Sequence, residues 1–261
     1  MIRVAGLTRR FGEFVAVDNI SFEVAAGEVF AFLGPNGAGK TTTIRMLTTL
    51  LAPSSGTVQI DGLDVAAHRY ATRQRFGIVF QDSSLDSELT ARENLIIHAV
   101  LYRVPRRERG ARIERLLRLF DLWERRDELV KRYSGGMRRR LEIARGLLHT
   151  PRVLFLDEPT LGLDPQTRNQ LWTHVRALNA EHQVTVFLTT HYMEEAERAA
   201  HRIAIIDHGR IVAQGSAGQL LSQTGTSSLE GAFLKLTGTQ IREEEAGAGE
   251  QMRRMARVFR R

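Results

Sequence analysis

The N-terminal segment of the chain alternates apolar and polar residues with a period of two. The alternation runs through IRVAGLTRRFGEFVAVDNISFEV, where Gly6 and Gly12 interrupt it. Such a pattern is typical of antiparallel strands that pack one face on a core and expose the other to water. It predicts antiparallel strands at the start of the chain, with breaks at the two glycines.

Four later segments are continuously apolar over the length of a strand: EVFAFLG, RFGIVFQD, RVLFLDEP and QVTVFLTTH. Uninterrupted runs are expected of strands covered on both faces, as in a parallel sheet flanked by helices. Between the last two, QTRNQLWTHVRALNAEH predicts a helix. Tight turns between strands are predicted at Asp61-Gly62 and His208-Gly209, because a glycine in the second position of such a dipeptide favours a turn.

The middle of the chain has a helical pattern. Ile113, Leu116, Leu117 and Phe120 recur at the i, i+3, i+4 and i+7 positions of one helix face. We interpret residues of about 89–149 as an α-helical subdomain inserted into an α/β body.

Composition restricts the chemistry that the chain can carry. Its 261 residues suit one large α/β domain, or a domain with a subdomain, and the absence of cysteine excludes disulfides, thiol catalysis and Cys-ligated zinc. The formal charge of +7 comes almost entirely from arginine, since lysine occurs only at Lys40, Lys131 and Lys235. Both a general arginine bias and an anion-binding surface explain that charge.

No apolar run approaches the roughly 18 to 20 residues that a membrane-spanning helix needs. The N-terminus also lacks the apolar core of a signal peptide. We therefore expect a cytoplasmic protein that is at most peripheral to a membrane. A solvated terminus is expected for the tail EQMRRMARVFRR, and the alternative is a basic amphipathic helix able to lie on anionic lipid, with Met252, Met255, Ala256 and Phe259 on one face.

A glycine-rich loop joins the first buried strand to a helical segment. GPNGAGKT, at residues 34–41, fits the G-x-x-x-x-G-K-[ST] pattern of a P-loop. In this motif backbone N–H groups cradle phosphate, Lys40 reaches the β and γ oxygens, and the Thr41 hydroxyl ligates Mg²⁺. Lysine is rare in this arginine-rich chain, so its presence at position 40 is informative. A compact ammonium fits inside a phosphate-binding loop where a planar guanidinium does not. The predicted nucleotide-binding residues are Gly34, Pro35, Asn36, Gly37, Ala38, Gly39, Lys40, Thr41 and Thr42.

A pair of carboxylates ends the buried strand VLFLDE. Asp157 is predicted to orient Mg²⁺ or its water, and Glu158 to act as the general base for an attacking water. A second anion cradle is predicted at YSGGM, where Ser134, Gly135 and Gly136 open a helix whose first N–H groups are free. A P-loop followed by such a carboxylate pair also occurs in many nucleotide kinases and motor ATPases, so these two motifs do not identify the class of protein.

The ordered motifs narrow this choice. YSGGM, LEIARGLLHTPRVLFLDEPTLGLDP and TTHYMEEAE resemble the ATP-binding subunits of ABC transporters, and the resemblance runs from Ile2 to about Thr239. It implies an α/β fold: a P-loop NTPase core with a parallel sheet, an N-terminal antiparallel β-subdomain and an inserted α-helical subdomain. It also implies an ATP-binding domain at residues 1–239 that hydrolyses ATP with Mg²⁺, followed by a basic tail at 240–261.

The resemblance assigns further roles residue by residue. Ser134, Gly135 and Gly136 become the signature motif, and Asp164 the D-loop aspartate. Gln81, the Q-loop glutamine, would touch Mg²⁺ or its water, and His191, the switch histidine, would hydrogen-bond the γ-phosphate. Family geometry further implies a two-fold homodimer in which the signature motif of one subunit closes over ATP held by the P-loop of the other.

Two positions depart from the family pattern. Met137 stands where glutamine is more usual. The aromatic residue that stacks on adenine is commonly tyrosine and here corresponds to Phe11, with Phe14 close by and either ring able to belong to the core instead.

Within the family, SSLDSELTARENL and SLEGAFLKLTG resemble the ATPases of drug-resistance and lipid or polysaccharide exporters, whose permease is a separate chain. The expected partner is a multi-span membrane permease, with the arginine-rich helices facing it or simply solvated. The alternative is a soluble ABC ATPase acting on nucleic acid or the ribosome, which the basic charge supports. Against it, the insertion between Gln81 and Ser134 is short and the chain has one ATPase module, so no nucleic-acid partner is expected.

Overall fold

The computed structural model describes residues 1–238. The amphipathic helix suggested for the C-terminal tail lies outside these residues. Within them, no helix combines the length and the hydropathy that crossing a bilayer requires.

The N-terminal strands form a four-stranded antiparallel sheet in the order β2-β1-β4-β5. The strands are β1 (Ile2–Phe11), β2 (Phe14–Val24), β4 (Ser55–Ile60) and β5 (Leu63–Asp64). The predicted break at Gly6 is wrong, because β1 continues through this residue as a β-bulge. Gly6 has a φ of 59°, and the register with β2 shifts between Val4 and Leu7. Gly12 does end β1, in the turn to β2.

The second sheet has six strands in the order β10-β9-β3-β8-β7-β6. Its strands are β3 (Val29–Leu33), β6 (Phe76–Val79), β7 (Val153–Asp157), β8 (Thr185–Thr190), β9 (Arg202–Asp207) and β10 (Arg210–Gly215). Neighbours are parallel except for β9 and β10, which form a hairpin. The predicted turn at His208-Gly209 joins that hairpin, and both residues have positive φ.

Strand β3 shows why a continuous apolar run is needed at the centre of the molecule. All five of its residues are buried. Phe30 and Phe32 face the core between the two sheets, where their rings pack with those of Phe22 and Phe187. Ala31 and Leu33 face the opposite core, beneath the helices. Both faces of this strand are therefore covered, as predicted.

The helices lie between the strands along the chain or follow β10. They are α1 (Lys40–Leu47), α2 (Arg69–Arg73), α3 (Ala91–Leu101), α4 (Arg106–Leu119), α5 (Gly135–Leu147), α6 (Pro165–His182), α7 (Met193–Ala199), α8 (Ala217–Thr224) and α9 (Leu229–Thr237). The apolar face predicted around Ile113 is buried in the helical core. The predicted α/β class, with an antiparallel N-terminal sheet and a sheet of parallel strands, is confirmed.

Candidate active site

The glycine-rich loop connects β3 to α1, and its backbone is shaped by glycine. Gly39 precedes α1 with a φ of 104°, and a Cβ atom there would lie 2.6 Å from the carbonyl oxygen of Ala16. No side chain caps the N-terminus of α1. Because the first N–H groups of a helix have no partner within the helix, this end suits an anion, and so fits the phosphates of a nucleotide.

Lys40 is the first residue of α1, and its side chain is only 5% exposed. Its Nζ donates hydrogen bonds to the carbonyl oxygens of Gly34 (2.8 Å) and Pro35 (3.1 Å) and lies 3.2 Å from Glu158 Oε1. Burial lowers the pKa of Lys40, while the charges of Glu158 and Asp157 oppose this shift. The ammonium is thus fixed between the backbone of the glycine-rich loop and the Glu158 carboxylate.

Asp157 ends β7, and its carboxylate is bound by two hydroxyl groups. Thr189 Oγ1 donates to Asp157 Oδ1 at 2.6 Å, and Thr41 Oγ1 donates to the same atom at 3.4 Å. Burial raises the pKa of Asp157, and the hydrogen bond from Thr189 acts against that rise. Sheet and P-loop therefore meet at this carboxylate.

The oxygens of Thr41 and Asp157 fit a hard divalent cation. Mg²⁺ prefers oxygen donors and usually takes one or two from protein, with phosphate oxygens and water as its other ligands. The separation of 3.4 Å between Thr41 Oγ1 and Asp157 Oδ1 brings two such donors together. These residues would hold the ion, which when bound would neutralise phosphate charge.

Glu158 follows β7 with a φ of 46°, in the left-handed region that residues other than glycine seldom adopt. Its N–H group donates to the backbone oxygen and the Oγ1 of Thr189, at 3.2 and 3.0 Å. Its carbonyl oxygen accepts from Arg139 Nη2 at 2.9 Å. Neighbouring groups thus over-determine this strained backbone, as is common at active sites.

The carboxylate of Glu158 lies between two cationic or proton-donating groups. His191 Nδ1 is 3.3 Å from Glu158 Oε2, in a close contact that is not aligned as a full hydrogen bond, and Lys40 approaches Oε1. Burial raises the pKa of Glu158, but the contacts with His191 and Lys40 together outweigh it, and the net shift is downward. The group therefore stays ionised at neutral pH and is able to accept a proton.

Arg139, on α5, is a buried residue that the sequence did not single out. Its guanidinium donates to backbone carbonyl oxygens at the ends of two neighbouring strands, those of Phe80, Asp157, Glu158 and Pro159. It also pairs with Glu142 on the same helix, at 3.1 Å. Three consecutive arginines occupy positions 138–140, so the residue pattern alone does not reveal which of them is buried.

Gln81 lies exposed just beyond β6, next to Phe80. In the parallel pairing of β6 with β7, Val79 is opposite Leu156, so Gln81 leaves the sheet at the edge where Asp157 and Glu158 lie. Thr189 was also missed by sequence reasoning. A threonine in a buried strand looks like ordinary packing until the fold places it beside a carboxylate.

The signature residues lie at the N-terminus of α5. Ser134 Oγ accepts from the N–H of Met137 at 3.3 Å, and Ser134 and Gly135 are exposed. Gly136 packs so closely on α6 that an added Cβ would lie 2.2 Å from Thr167 Cγ2. Asp164 caps α6 through the N–H (2.9 Å) and Oγ1 (2.6 Å) of Thr167.

Gly136 of the predicted signature motif and Asp164 of the predicted D-loop therefore both lie against Thr167. Ser134 Oγ is bonded within its own helix, and a Cβ atom added at Gly135 or Gly136 would meet Leu163 or Thr167, in the turn before α6 and on α6.

Neither candidate for the adenine platform belongs to the core. Phe11 is 40% exposed and Phe14 is 63% exposed, on opposite sides of the turn between β1 and β2. The guanidinium of Arg9 lies 4.5 Å from the centroid of the Phe11 ring. One face of Phe11 is covered by Arg9 in this way.

The fold and this site define the protein as a P-loop nucleoside-triphosphatase. The sequence profile of the family described as "ABC transporter" matches residues 17–161. The chain belongs to this family and is an ATP-binding ATPase, as the resemblance predicted.

Two curated relatives and one solved structure illustrate the similarity. The chain is 46% identical over 243 residues to the daunorubicin/doxorubicin resistance ATP-binding protein DrrA of Streptomyces peucetius, covering 93% of this chain and 72% of the relative. It is 45% identical over 222 residues to the Nod factor export ATP-binding protein I of Ralstonia nicotianae, covering 85% of this chain and 69% of the relative. A dimeric ATP-binding cassette in a post-hydrolysis state, bound to ADP and Pi, superposes with a TM-score of 0.74 at 28% identity, covering 83% of this chain and 98% of the other.

Proposed function

We propose that this protein hydrolyses Mg-ATP to energise the export of a substrate through a separate membrane permease. The observation that carries the proposal is the convergence of Lys40, Glu158 and His191 at one edge of the sheet, beside Thr41 and Asp157. The names of the curated relatives, which are resistance and export ATP-binding proteins, support the direction of transport.

The chemical roles follow from the contacts. Glu158, ionised and buried, is the general base for the attacking water, and His191 holds the base and the γ-phosphate in line. Asp157 and Thr41 bind Mg²⁺, and Gln81 contacts the metal or its water. The P-loop N–H groups and Lys40 bind the phosphates, and Phe11 offers the ring face opposite Arg9 to adenine.

The protein works as a homodimer formed on ATP binding. Ser134 and Gly135 are exposed at the N-terminus of α5, and the dimeric structure neighbour supports assembly of two such domains. In a two-fold dimer they would bind the ATP held by the partner subunit, completing the site in trans. Residues 1–239 constitute this ATP-binding domain, with the helical part at about 89–149.

A surface on α3 fits the permease. Ile96 (38%), Ile97 (48%), Val100 (50%) and Leu101 (69%) expose large apolar side chains on this one helix. A cluster of this size on a surface helix marks an interaction site more often than isolated apolar residues do. We place the permease on this α3 surface, which would hold the protein at the cytoplasmic face of a membrane as a peripheral subunit.

The experiment is to purify the tagged protein from detergent-solubilised membranes of its host and to identify the membrane protein that accompanies it. A multi-span partner that stimulates ATP hydrolysis and is lost in Leu101→Glu, but retained in the control Val212→Glu on β10, supports the proposal. Failure to recover any such protein, with no effect of lipid or membrane extract on turnover, would contradict it.

The nucleic-acid alternative is tested in the same preparation. The positive charge of α4 is partly compensated, since Arg112 and Arg118 pair with Glu108 and Glu114 at 2.7 and 2.8 Å. DNA or RNA binding that falls steeply with salt concentration, without a membrane partner, would favour this alternative over transport.

A further inference from the structure

Glu195 is a buried carboxylate that the roles above do not use. It lies on α7, four residues after His191, and its side chain is 3% exposed. Thr160 Oγ1 donates a hydrogen bond to its Oε1, and Thr190 Oγ1 donates to its Oε2 at 3.0 Å. Arg168 Nε lies 3.3 Å from Oε1 as an ion-pair partner.

These three partners come from three different segments around the site. Thr160 lies in the loop that follows Glu158, and Thr190 ends β8 immediately before His191. Arg168 lies on α6, one helical turn after Asp164, and its N–H group donates to the Asp164 carbonyl oxygen at 3.0 Å. One carboxylate therefore connects the loop after Glu158, the strand end that precedes His191, and α6.

Arg168 also contacts the turn that carries His191, through the ring of Tyr192. Its guanidinium lies 4.5 Å from the centroid of the Tyr192 ring, and that ring lies 4.1 Å from the ring of His191. The N–H of Tyr192 donates to Thr190 Oγ1, the same hydroxyl that donates to Glu195. The turn that carries His191 is thus contacted by both Glu195 and Arg168.

A charge is not needed here to satisfy the two threonines. A glutamine of the same size would accept one hydroxyl group at its carbonyl oxygen and would donate from its NH2 group to the oxygen of the other, and burying a carboxylate is costly unless its charge is used. What the charge adds is the link to Arg168 on α6. A shift of α6 would be transmitted to the switch turn through this pair and through the ring of Tyr192.

We propose that Glu195 is a positioning residue that sets His191 against Glu158 according to the position of α6. The inference rests on the proposed role of His191. When the turn at Asp164 packs on a second subunit, α6 settles, and Arg168 and Glu195 then hold the switch turn in the arrangement that supports hydrolysis. Glu195 in this way makes turnover depend on closure of the dimer, while ATP binding does not require it.

The test separates positioning from mere stability. Glu195→Gln keeps the size of the side chain and one oxygen that accepts a hydroxyl group but removes the charge, and Glu194→Gln, at the exposed neighbouring glutamate, is the matched control. We expect Glu195→Gln to lower kcat by about tenfold, because small misplacements at a site are costly, with KM for ATP within about twofold of the parent. Glu194→Gln should match the parent in both.

The decisive measurement repeats the substitution in a His191→Ala background, using single-turnover assays. If Glu195 acts through His191, the substitution should change the residual rate by less than about twofold there, because coupled residues are not additive. An equal loss of rate from Glu195→Gln in the parent and in His191→Ala, or no loss in either, would overturn the role of Glu195 but leave the role of His191 standing. A His191→Ala variant as active as the parent would instead refute the role of His191, and the inference would fall with it.

A second variant guards against a folding defect in Glu195→Gln. Arg168→Gln removes the same ion pair from the more exposed side, where 25% of the side chain is accessible. It should reproduce the loss of kcat with KM unchanged, and Arg168→Gln combined with Glu195→Gln should be no slower than either alone. Parent-like turnover in Arg168→Gln would overturn the inference.

Discussion

Lys40 and Glu158 form a buried ion pair, with Nζ 3.2 Å from Oε1. The same ammonium donates to the carbonyl oxygens of Gly34 and Pro35, so its three protons all have partners within the protein. Phosphate oxygens must therefore compete with these groups for Lys40. The ion pair links the group predicted to bind phosphate to the group proposed as the base.

Replacing Glu158 by glutamine should separate these two functions. Glu158→Gln removes the charge and basicity but keeps the size, so kcat should fall by about 100-fold or more, the usual contribution of a general base. Affinity for ATP should be retained or rise, since a neutral amide competes less well for Lys40. Turnover and equilibrium nucleotide binding, measured on one preparation, check both expectations. Hydrolysis at the parent's rate would show that Glu158 is not the base.

Two inactive subunits should complement each other if the signature motif acts in trans. Lys40→Ala damages the P-loop and Ser134→Arg damages the signature motif, so a mixed dimer has one site with both lesions and one intact site. ATP-dependent dimerisation, measured by sedimentation, should partly recover in the mixture and fail for each variant alone. A mixture that stays monomeric while the parent dimerises would contradict the trans assignment. Turnover is the poorer readout, because coupled hydrolysis can require both sites.

Gly136 is expected to tolerate no side chain while Thr167 keeps its methyl group. In Gly136→Ala the new Cβ would lie 2.2 Å from Thr167 Cγ2, and such overpacking costs about 1–3 kcal/mol of unfolding free energy. Alanine otherwise favours a helix over glycine by up to about 1 kcal/mol, so a loss reports the contact and not helix propensity.

The second substitution Thr167→Ser removes that methyl group and keeps the hydroxyl that binds Asp164. The next atoms of Thr167, Cβ and Oγ1, are both 3.5 Å from the added Cβ, so most of the stability should return in Gly136→Ala/Thr167→Ser. Urea denaturation of the two single variants and the double variant checks this. Equal instability of Gly136→Ala with and without Thr167→Ser would refute the assigned contact.

Stability should decrease as the pH falls from 6.5 towards 4. Burial lowers the pKa of His98 to about 3 and that of His149 to about 4, and both imidazoles pack against the Tyr102 ring. Between these values and the ordinary pKa of about 6.5, the unfolded chain binds protons that the folded chain does not, so acid favours unfolding. His98→Gln/His149→Gln should flatten the pH dependence of the unfolding free energy across this window, with the exposed His208→Gln as control. An unchanged slope would show that the two imidazoles do not cause it.

Much of the fold is readable from residue patterns because each pattern reflects a local requirement. The run at β3 has to be apolar throughout, since Phe30 and Ala31 face different cores. The P-loop is equally local, because the glycines, Lys40 and Thr41 are adjacent in the chain and act through the geometry of one strand, one loop and one helix. The bulge at Gly6 escaped prediction for the opposite reason. Whether a glycine ends a strand or bends it depends on the neighbouring strand that pairs with it.

The sequence by itself determined the α/β class and the family, and it predicted site roles for Lys40, Asp157, Glu158 and His191, because those residues belong to contiguous motifs. Only the tertiary structure decided which residues support them. Thr189, Arg139 and Glu195 lie far from their partners in sequence, and each looks like ordinary packing or surface charge until distant segments meet. Hydrogen bonds and ion pairs act over about 3 Å, so such roles exist only once the sheet has brought its strand ends to a common edge.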